Sequence, residues 1–235
     1  YKRSWNDYAM SINQLNGEIG ASLSSITSLM KSDFCTGIPV MVSNSVEADR
    51  ASAVTALIKD IKTKFVRVYD DKGREVKSQC TDTPNGLEVL FLAEVKSLGI
   101  RVYDIRTSDI PCPIPSNLTV NDDYISNQKY DVRLNKNGDI QSIIDKEDNN
   151  REILSKPIAL GLFNYNGSKD WPAWEMNYKE ANKEPDRFPT VKTVTVLEKG
   201  PVRVALEVIQ QDKKSTFKRI IALTDGGKTV DIYNT

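Results

Sequence analysis

Lys129 to Asp145, KYDVRLNKNGDIQSIID, is the stretch on which the reading of this chain turns. Two alternating runs, KYDVRLN and DIQSIID, flank Lys136-Asn137-Gly138. Alternation at period two puts one face of each run toward a core. An Asn-Gly pair supplies the positive φ that a tight hairpin needs. The stretch therefore predicts an antiparallel hairpin, and the same grammar recurs on both sides of it. Toward the C-terminus, VKTVTVLEK and VRVALEVIQ are joined through Gly200-Pro201, and STFKRIIALT and KTVDIY through Asp225-Gly226-Gly227. Hairpins in succession, with no helices between them, predict a β-sandwich rather than an α/β sheet. The last of them runs out at Thr235, as the first part of a larger sandwich would.

Toward the N-terminus, KFVRVYD leads through Asp71-Lys72-Gly73 into REVKSQ. LEVLFLAEV then breaks at Ser97-Leu98-Gly99 and resumes as IRVYDIR, which predicts a small antiparallel sheet domain. In PCPIPSN, Pro111, Pro113 and Pro115 remove backbone donors and read as a linker. Before residue 34 the period changes. Trp5, Tyr8, Ile12, Leu15, Ile19, Leu23, Ile26 and Leu29 recur in steps of three and four, the stripe of one long amphipathic helix. Ser4 followed by Asp7 resembles a capping box, and Gly17 and Gly20 weaken the helix interior. Such a helix needs partners. It reads as a segment of a helical bundle, with the stripe from Trp5 to Leu29 available for self-association. The expected organisation is a bundle segment over 1–33, a small antiparallel β domain over 34–116 and the N-terminal part of a β-sandwich over 117–235.

Composition limits the chemistry. Lys plus Arg and Asp plus Glu each total 32, so there is no net field to draw nucleic acid or an anionic membrane. No apolar run reaches the roughly 18 residues of a membrane helix, and the chain is expected to be soluble, with its compartment open between periplasmic or secretory and cytoplasmic. Cys35, Cys80 and Cys112 are too scattered for a zinc site and read as packing residues. There is no histidine, which removes Ser-His and Cys-His nucleophile systems and His-ligated metals from this chain acting alone. Asn117-Leu118-Thr119 and Asn166-Gly167-Ser168 match the glycan acceptor pattern. The other conspicuous motif is DWPAWE, where Trp171 and Trp174 straddle Pro172 between Asp170 and Glu175. Read alone, it is a sugar platform, part of an acid/base pair, or a loop that folds its aromatics inward.

LNKNGDIQSIIDKEDNNREIL (134–154), LAEVKSLGIRVY (92–103), VYDDKGREVKSQ (68–79), KGPVRVALEV (199–208) and DWPAWE together resemble the C-terminal half of glycoside hydrolase family 38, the retaining α-mannosidases. The opening YKRSWNDYA is similar to the helix that follows the family's His-Asp zinc motif. There are departures. The family's Asn-Pro-Leu segment reads Ser43-Asn44-Ser45-Val46-Glu47-Ala48, retaining Asn44 and the later Arg50; Lys96 and Ile100 replace a proline and a tyrosine; and Pro172 replaces the acid of a Trp-Asp-Ala-Trp tetrad. The resemblance implies a galactose-mutarotase-like supersandwich. It also implies a parent enzyme whose zinc, nucleophile and acid/base lie on a barrel preceding Tyr1, with a mannose-containing glycan as substrate. No catalytic or metal-binding residue then falls in this chain, and Asp170, Trp171, Trp174 and Glu175 are its substrate-proximal candidates. A free-standing β-sandwich binding carbohydrate or protein without catalysis is the alternative.

Overall fold

In the computed structural model, which describes residues 1–235, the long periodic stretch forms α1 (Lys2–Leu29), and no residue of it is buried. Trp5 is 73% and Leu15 62% exposed, so the apolar stripe faces solvent along its length. The start differs from the capping-box expectation: Tyr1 is the N-cap and makes no side-chain cap bond, which leaves Ser4 inside the first turn. Near the other end, the hydroxyls of Ser25, Thr27 and Ser28 donate to the carbonyls of Ala21, Leu23 and Ser25. Such back-bonding does nothing to anchor a helix.

Seven strands follow: β1 (Ile38–Ser43), β2 (Arg50–Ile58), β3 (Phe65–Tyr69), β4 (Glu75–Val76), β5 (Ser78–Thr83), β6 (Gly86–Val95) and β7 (Ile100–Ser108). They form two antiparallel sheets, β1-β7-β3-β4 and β2-β6-β5. The reading of a single small sheet is refined here. Ser97-Leu98-Gly99 does not close a hairpin but carries the chain from one sheet to the other. Leu98 adopts φ +49, and Gly99 donates to the Lys96 carbonyl. Two facing sheets bury what one would leave wet. Val66, Val68, Tyr103 and Ile105 pack against Ile58, Leu87, Val89, Phe91 and Ala93. The Phe91 and Tyr103 rings meet at 5.1 Å between centroids, and the Tyr103 hydroxyl accepts from the Glu94 N–H at 2.8 Å.

On the outer face of β7, Asp104 is fully buried and holds the segment entering β1. It accepts from the N–H groups of Thr36 and Gly37, both at 2.9 Å, and from Arg106 Nε at 2.7 Å. Burial pushes its proton affinity up. The bonds from Thr36, Arg106 and Gly37 outweigh that and hold the carboxyl below its usual range. A depressed folded-state pKa contributes stability that is complete above the unfolded value, about 3.9, and is lost as pH falls through the folded value. Asp104→Asn is therefore expected to lower stability at neutral pH, with its gap from wild type closing below about pH 4. Denaturant titrations at several pH values measure this; a gap that stays constant with pH would show that the carboxylate charge contributes nothing.

Residues 109–118, which carry the three prolines, form no strand. Beyond them lie β8 (Thr119–Asn121), β9 (Tyr124–Ser126), β10 (Tyr130–Leu134), β11 (Ile140–Asp145) and β12 (Arg151–Glu152). After a long connection containing α2 (Tyr178–Ala181) come β13 (Thr190–Lys199), β14 (Arg203–Asp212), β15 (Ser215–Thr224) and β16 (Asp231–Asn234). The three hairpins read from sequence are all present, as β10/β11, β13/β14 and β15/β16. Four further hairpins, β8/β9, β9/β10, β11/β12 and β14/β15, join them. The two sheets, β12-β11-β10-β9-β8 and β13-β14-β15-β16, face each other. Ile125, Val132, Leu134, Ile140 and Ile143 meet Val204, Leu206, Val208, Ile221 and Leu223 between them. The chain is thus mainly β, with a long N-terminal helix.

Polar contacts join the two β lobes. Gln79 on β5 accepts from the N–H groups of Val202 and Arg203 at 3.0 and 2.9 Å and donates to Glu198 at 2.9 Å. Lys77 pairs with Asp225, which also accepts from Gln128 at 2.8 Å. No helix is long and apolar enough to cross a membrane.

Candidate functional site

The DWPAWE motif lies on the connection between β12 and β13. The apolar run from Ile158 to Phe163 reads in sequence as a strand from which this loop would leave, and here the structure differs. Ile158 bridges only Ile140, and Leu162 only Arg187. A strand needs successive bonds to one neighbour, whereas this segment changes partner within four residues and begins after Pro157, which has no donor.

Order in the loop comes from a local polar frame. The Asn166 amide donates to the carbonyls of Pro172 and Glu175, the latter at 2.9 Å, and its Oδ1 accepts from the Ser168 N–H at 3.0 Å. Ser168 Oγ accepts from the Trp171 N–H at 3.1 Å. From Trp171 the chain makes one helical turn, its carbonyl accepting from the N–H groups of Trp174 and Glu175, both at 3.0 Å. Pro172 suits the second position of that turn, where fixed φ helps and no donor is missed. At Gly167 the backbone has φ +81, and an added Cβ would lie 2.5 Å from the Asn177 Cβ; only glycine lets the loop sit against the start of α2. Because the Asn166 amide is committed to the frame, a glycan there would cost those bonds.

The indoles are not folded inward. Trp171 is 60% and Trp174 78% exposed, beside exposed Tyr165, Met176 and Tyr178. Asp170, Trp171 and Glu175 line one open cleft of about 410 Å³ together with Ser168 and Asn177; Trp174 lies outside it. The Asp170 carboxylate is exposed, and Glu175 meets Ser168 Oγ at a long 3.4 Å. Exposed indole faces, carboxylate acceptors and amide groups suit a polyhydroxylated ligand. For metal the donor set falls short, since no group of three or more His, Cys, Asp or Glu side chains converges anywhere in the chain.

A larger cleft, of about 590 Å³, opens on the first β lobe, at residues that form no site motif in the sequence. Several of its charges are paired with one another or with neighbouring Asp70. Arg101 bridges Asp70 at 2.9 Å and Asp71 at 2.6 Å, Arg74 reaches Asp70 at 2.7 Å, and Lys96 pairs with Asp49 at 2.6 Å. Burial raises the proton affinity of Asp70, but Arg74 and the N–H groups of Arg74 and Lys72 more than reverse this and keep its carboxyl low. The residues forming it are scattered over three strands, β2, β6 and β7, and the turns between strands, and only the tertiary arrangement unites them.

Residues 125–235 match the family model described as the glycosyl hydrolases family 38 C-terminal domain. An α-mannosidase from Enterococcus faecalis V583 shares the fold at 12% identity with a TM-score of 0.54, over 83% of this chain and 29% of that one. A glycosyl hydrolase family 38 protein, also from Enterococcus faecalis, does so at 13% identity and a TM-score of 0.54, over 83% of this chain and 30% of that one. The chain therefore spans under a third of the length of either structure, and at such identities the likeness is one of fold. No curated protein sequence matches it significantly.

Proposed function

Because residues 125–235 match the model of the glycosyl hydrolases family 38 C-terminal domain, we propose that the chain is the supporting, non-catalytic part of a retaining, zinc-dependent α-mannosidase. In this reading it partly walls an active site built on another region of the parent protein. The observation that carries the reading is a match to the family 38 C-terminal domain whose connecting loop turns two tryptophans outward beside exposed carboxylates. Retention requires two carboxyls about 5 Å apart acting as nucleophile and acid/base. This reading assigns both to the barrel of the parent, and the zinc with them. The contribution of this chain is binding: Trp171 or Trp174 offers apolar contact to a sugar face, and Asp170 or Glu175 accepts from a hydroxyl. Helix α1 is a member of a helical bundle in the parent, and the Trp5 to Leu29 stripe is the surface by which isolated chains would associate.

The test has two arms. The purified chain, with or without zinc, is expected to leave an aryl α-mannoside intact, whereas the longer enzyme cleaves it. In that enzyme, Trp171→Ala is expected to lower kcat/KM by roughly 1–3 kcal/mol of binding with zinc content unchanged. Zinc-dependent turnover by the chain itself would sink the first arm. Wild-type kinetics with a lowered Tm would make the loop an interdomain packing element instead. The exposure of the indoles also favours a second reading, a carbohydrate-binding sandwich without catalysis, which requires the isolated chain to bind mannose-containing glycans.

A further inference from the structure

β2, RASAVTALI, has a neighbour on one side only, since its sheet runs β2-β6-β5. It pairs with β6 without a bulge, from Arg50 opposite Val95 to Ile58 opposite Leu87. Its other flank presents a row of backbone N–H and C=O groups with no partner in the sheet, a template for one more strand. Every other sheet edge in the molecule is blunted. β1 contains Pro39; β4 and β12 are two residues long, β8 three and β16 four. β13 is interrupted by two register shifts, and β5 carries Asp82 and is held at Gln79 by the second lobe. Between Arg50 and Ile58, by contrast, β2 has neither proline nor charge.

The core is also unfinished at this edge. Val40 and Val42 of β1 and Val54 and Ala56 of β2 pack on the buried cluster between the sheets, yet remain only half-buried. A groove of about 160 Å³ opens beside them, lined by Val42, Ser52, Val54 and Val95 among others. An added strand would extend the ladder and cover this mouth with its own inward side chains. The flanking charges specify which strand. We propose that β2 pairs antiparallel with β2 of a second copy of this chain, about a two-fold axis at Val54. In that register Ser52 opposes Ala56, Ala51 opposes Leu57 and Arg50 opposes Ile58. One residue further out, Asp49 of each copy meets Lys59 of the other, and Arg50 stands diagonally across from Asp60. Parallel pairing would set Asp49 against Asp49 and Lys59 against Lys59, and a head-to-tail arrangement does not close on two copies. Lys59 is exposed, and Asp49 can turn to it because its bond to Lys96 is a surface pair of little strength. The inference does not rest on the α-mannosidase reading, and the edge is separate from the Trp5 to Leu29 stripe.

The test combines sedimentation equilibrium of the whole chain with amide hydrogen exchange at low and high concentration. The chain is expected to dimerise reversibly. Amides at alternate positions of 50–58, those turned away from β6, should gain protection as the dimer forms. Asp49→Lys or Lys59→Asp alone sets like charges opposite each other at both ends of the strand pair and should weaken the dimer on the order of tenfold, whereas the double variant restores opposite charges and should recover it. Both side chains are exposed, so the variants should fold. A chain that stays monomeric, leaving the edge to a strand of another protein, would overturn the proposal. Concentration-dependent protection confined to α1, or single variants that dimerise as tightly as wild type, would overturn it equally.

Discussion

Gly138→Ala is expected to destabilise the second β lobe by roughly 2–5 kcal/mol, summing the cost of a left-handed conformation in an L-residue and that of overpacking. Gly138 sits at φ +76 in the β10/β11 turn, where an added Cβ would approach Val208 Cγ1 to 2.5 Å and Val191 Cγ2 to 3.4 Å. Val208 is fully buried and β-branched, so it cannot swing aside. The turn is held too: Asn135 Oδ1 accepts from the N–H groups of Asn137 and Asp139 at 2.8 and 3.0 Å. Chemical denaturation measures the loss. In a Val208→Ala background part of the penalty should vanish, because the collision is gone while the backbone cost stays. A loss below about 0.5 kcal/mol, the level of an ordinary surface substitution, would mean that the turn relaxes freely.

Gln79→Ala should have an effect of similar size by another route. One side chain satisfies two backbone donors across the lobes, at Val202 and Arg203, and donates to Glu198. Val202 is fully buried, so its orphaned N–H would have no water to turn to. Each unsatisfied buried donor costs about 1–3 kcal/mol, which gives roughly 2–6 kcal/mol for the pair. The loss falls on the junction between lobes. Calorimetry should therefore show unfolding separating into two transitions, and the proline segment 109–118 should become more sensitive to protease. Gln79→Glu keeps the acceptor but sets a second carboxylate against Glu198, so it should retain part of the coupling. A single unshifted transition in Gln79→Ala would show that Lys77 and Asp225 hold the lobes together without it.

Hairpins were legible because their information is local. Alternation along 129–145 states which residues share a face, and Asn137-Gly138 states where the chain reverses; the observed register pairs Val132 with Ile143 and Asp131 with Ile144 around that turn. The stripe of α1 was legible for the same reason, although its cap was not, since Ser4 and Asp7 fit the motif equally well one turn inside the helix. Less could be read from LEVLFLAEV and IRVYDIR. Period two is the same whether consecutive strands pair or face each other across a core, and only the packing of Phe91 on Tyr103 separates the cases. Ile158 to Phe163 failed similarly: apolar residues in a row suggest a strand, but the neighbour that would complete a ladder is absent.

The candidate sites divide along the same line. DWPAWE could be found by eye, because two tryptophans around a proline are conspicuous in any sequence; that the indoles face outward, and that Trp171 but not Trp174 shares a cleft with Asp170 and Glu175, depends on the Asn166 and Ser168 frame. The burial of Arg219 gave no signal at all, since a charged residue inside an alternating run reads as solvated.

By itself, the sequence determined the helix and its stripe, the hairpins and their turns, and the want of histidine, since each follows from residue types at fixed short spacings. Tertiary structure alone decided the division of the first seven strands between two sheets, the polar junction through Gln79 and Asp225, the outward turn of the DWPAWE indoles and the burial of an unpaired Arg219. These depend on residues up to about 150 positions apart, such as Lys77 and Asp225, brought together by which apolar faces bury each other. Face-to-face burial is non-directional, so a local pattern specifies that a face must be covered and leaves its partner to the rest of the chain.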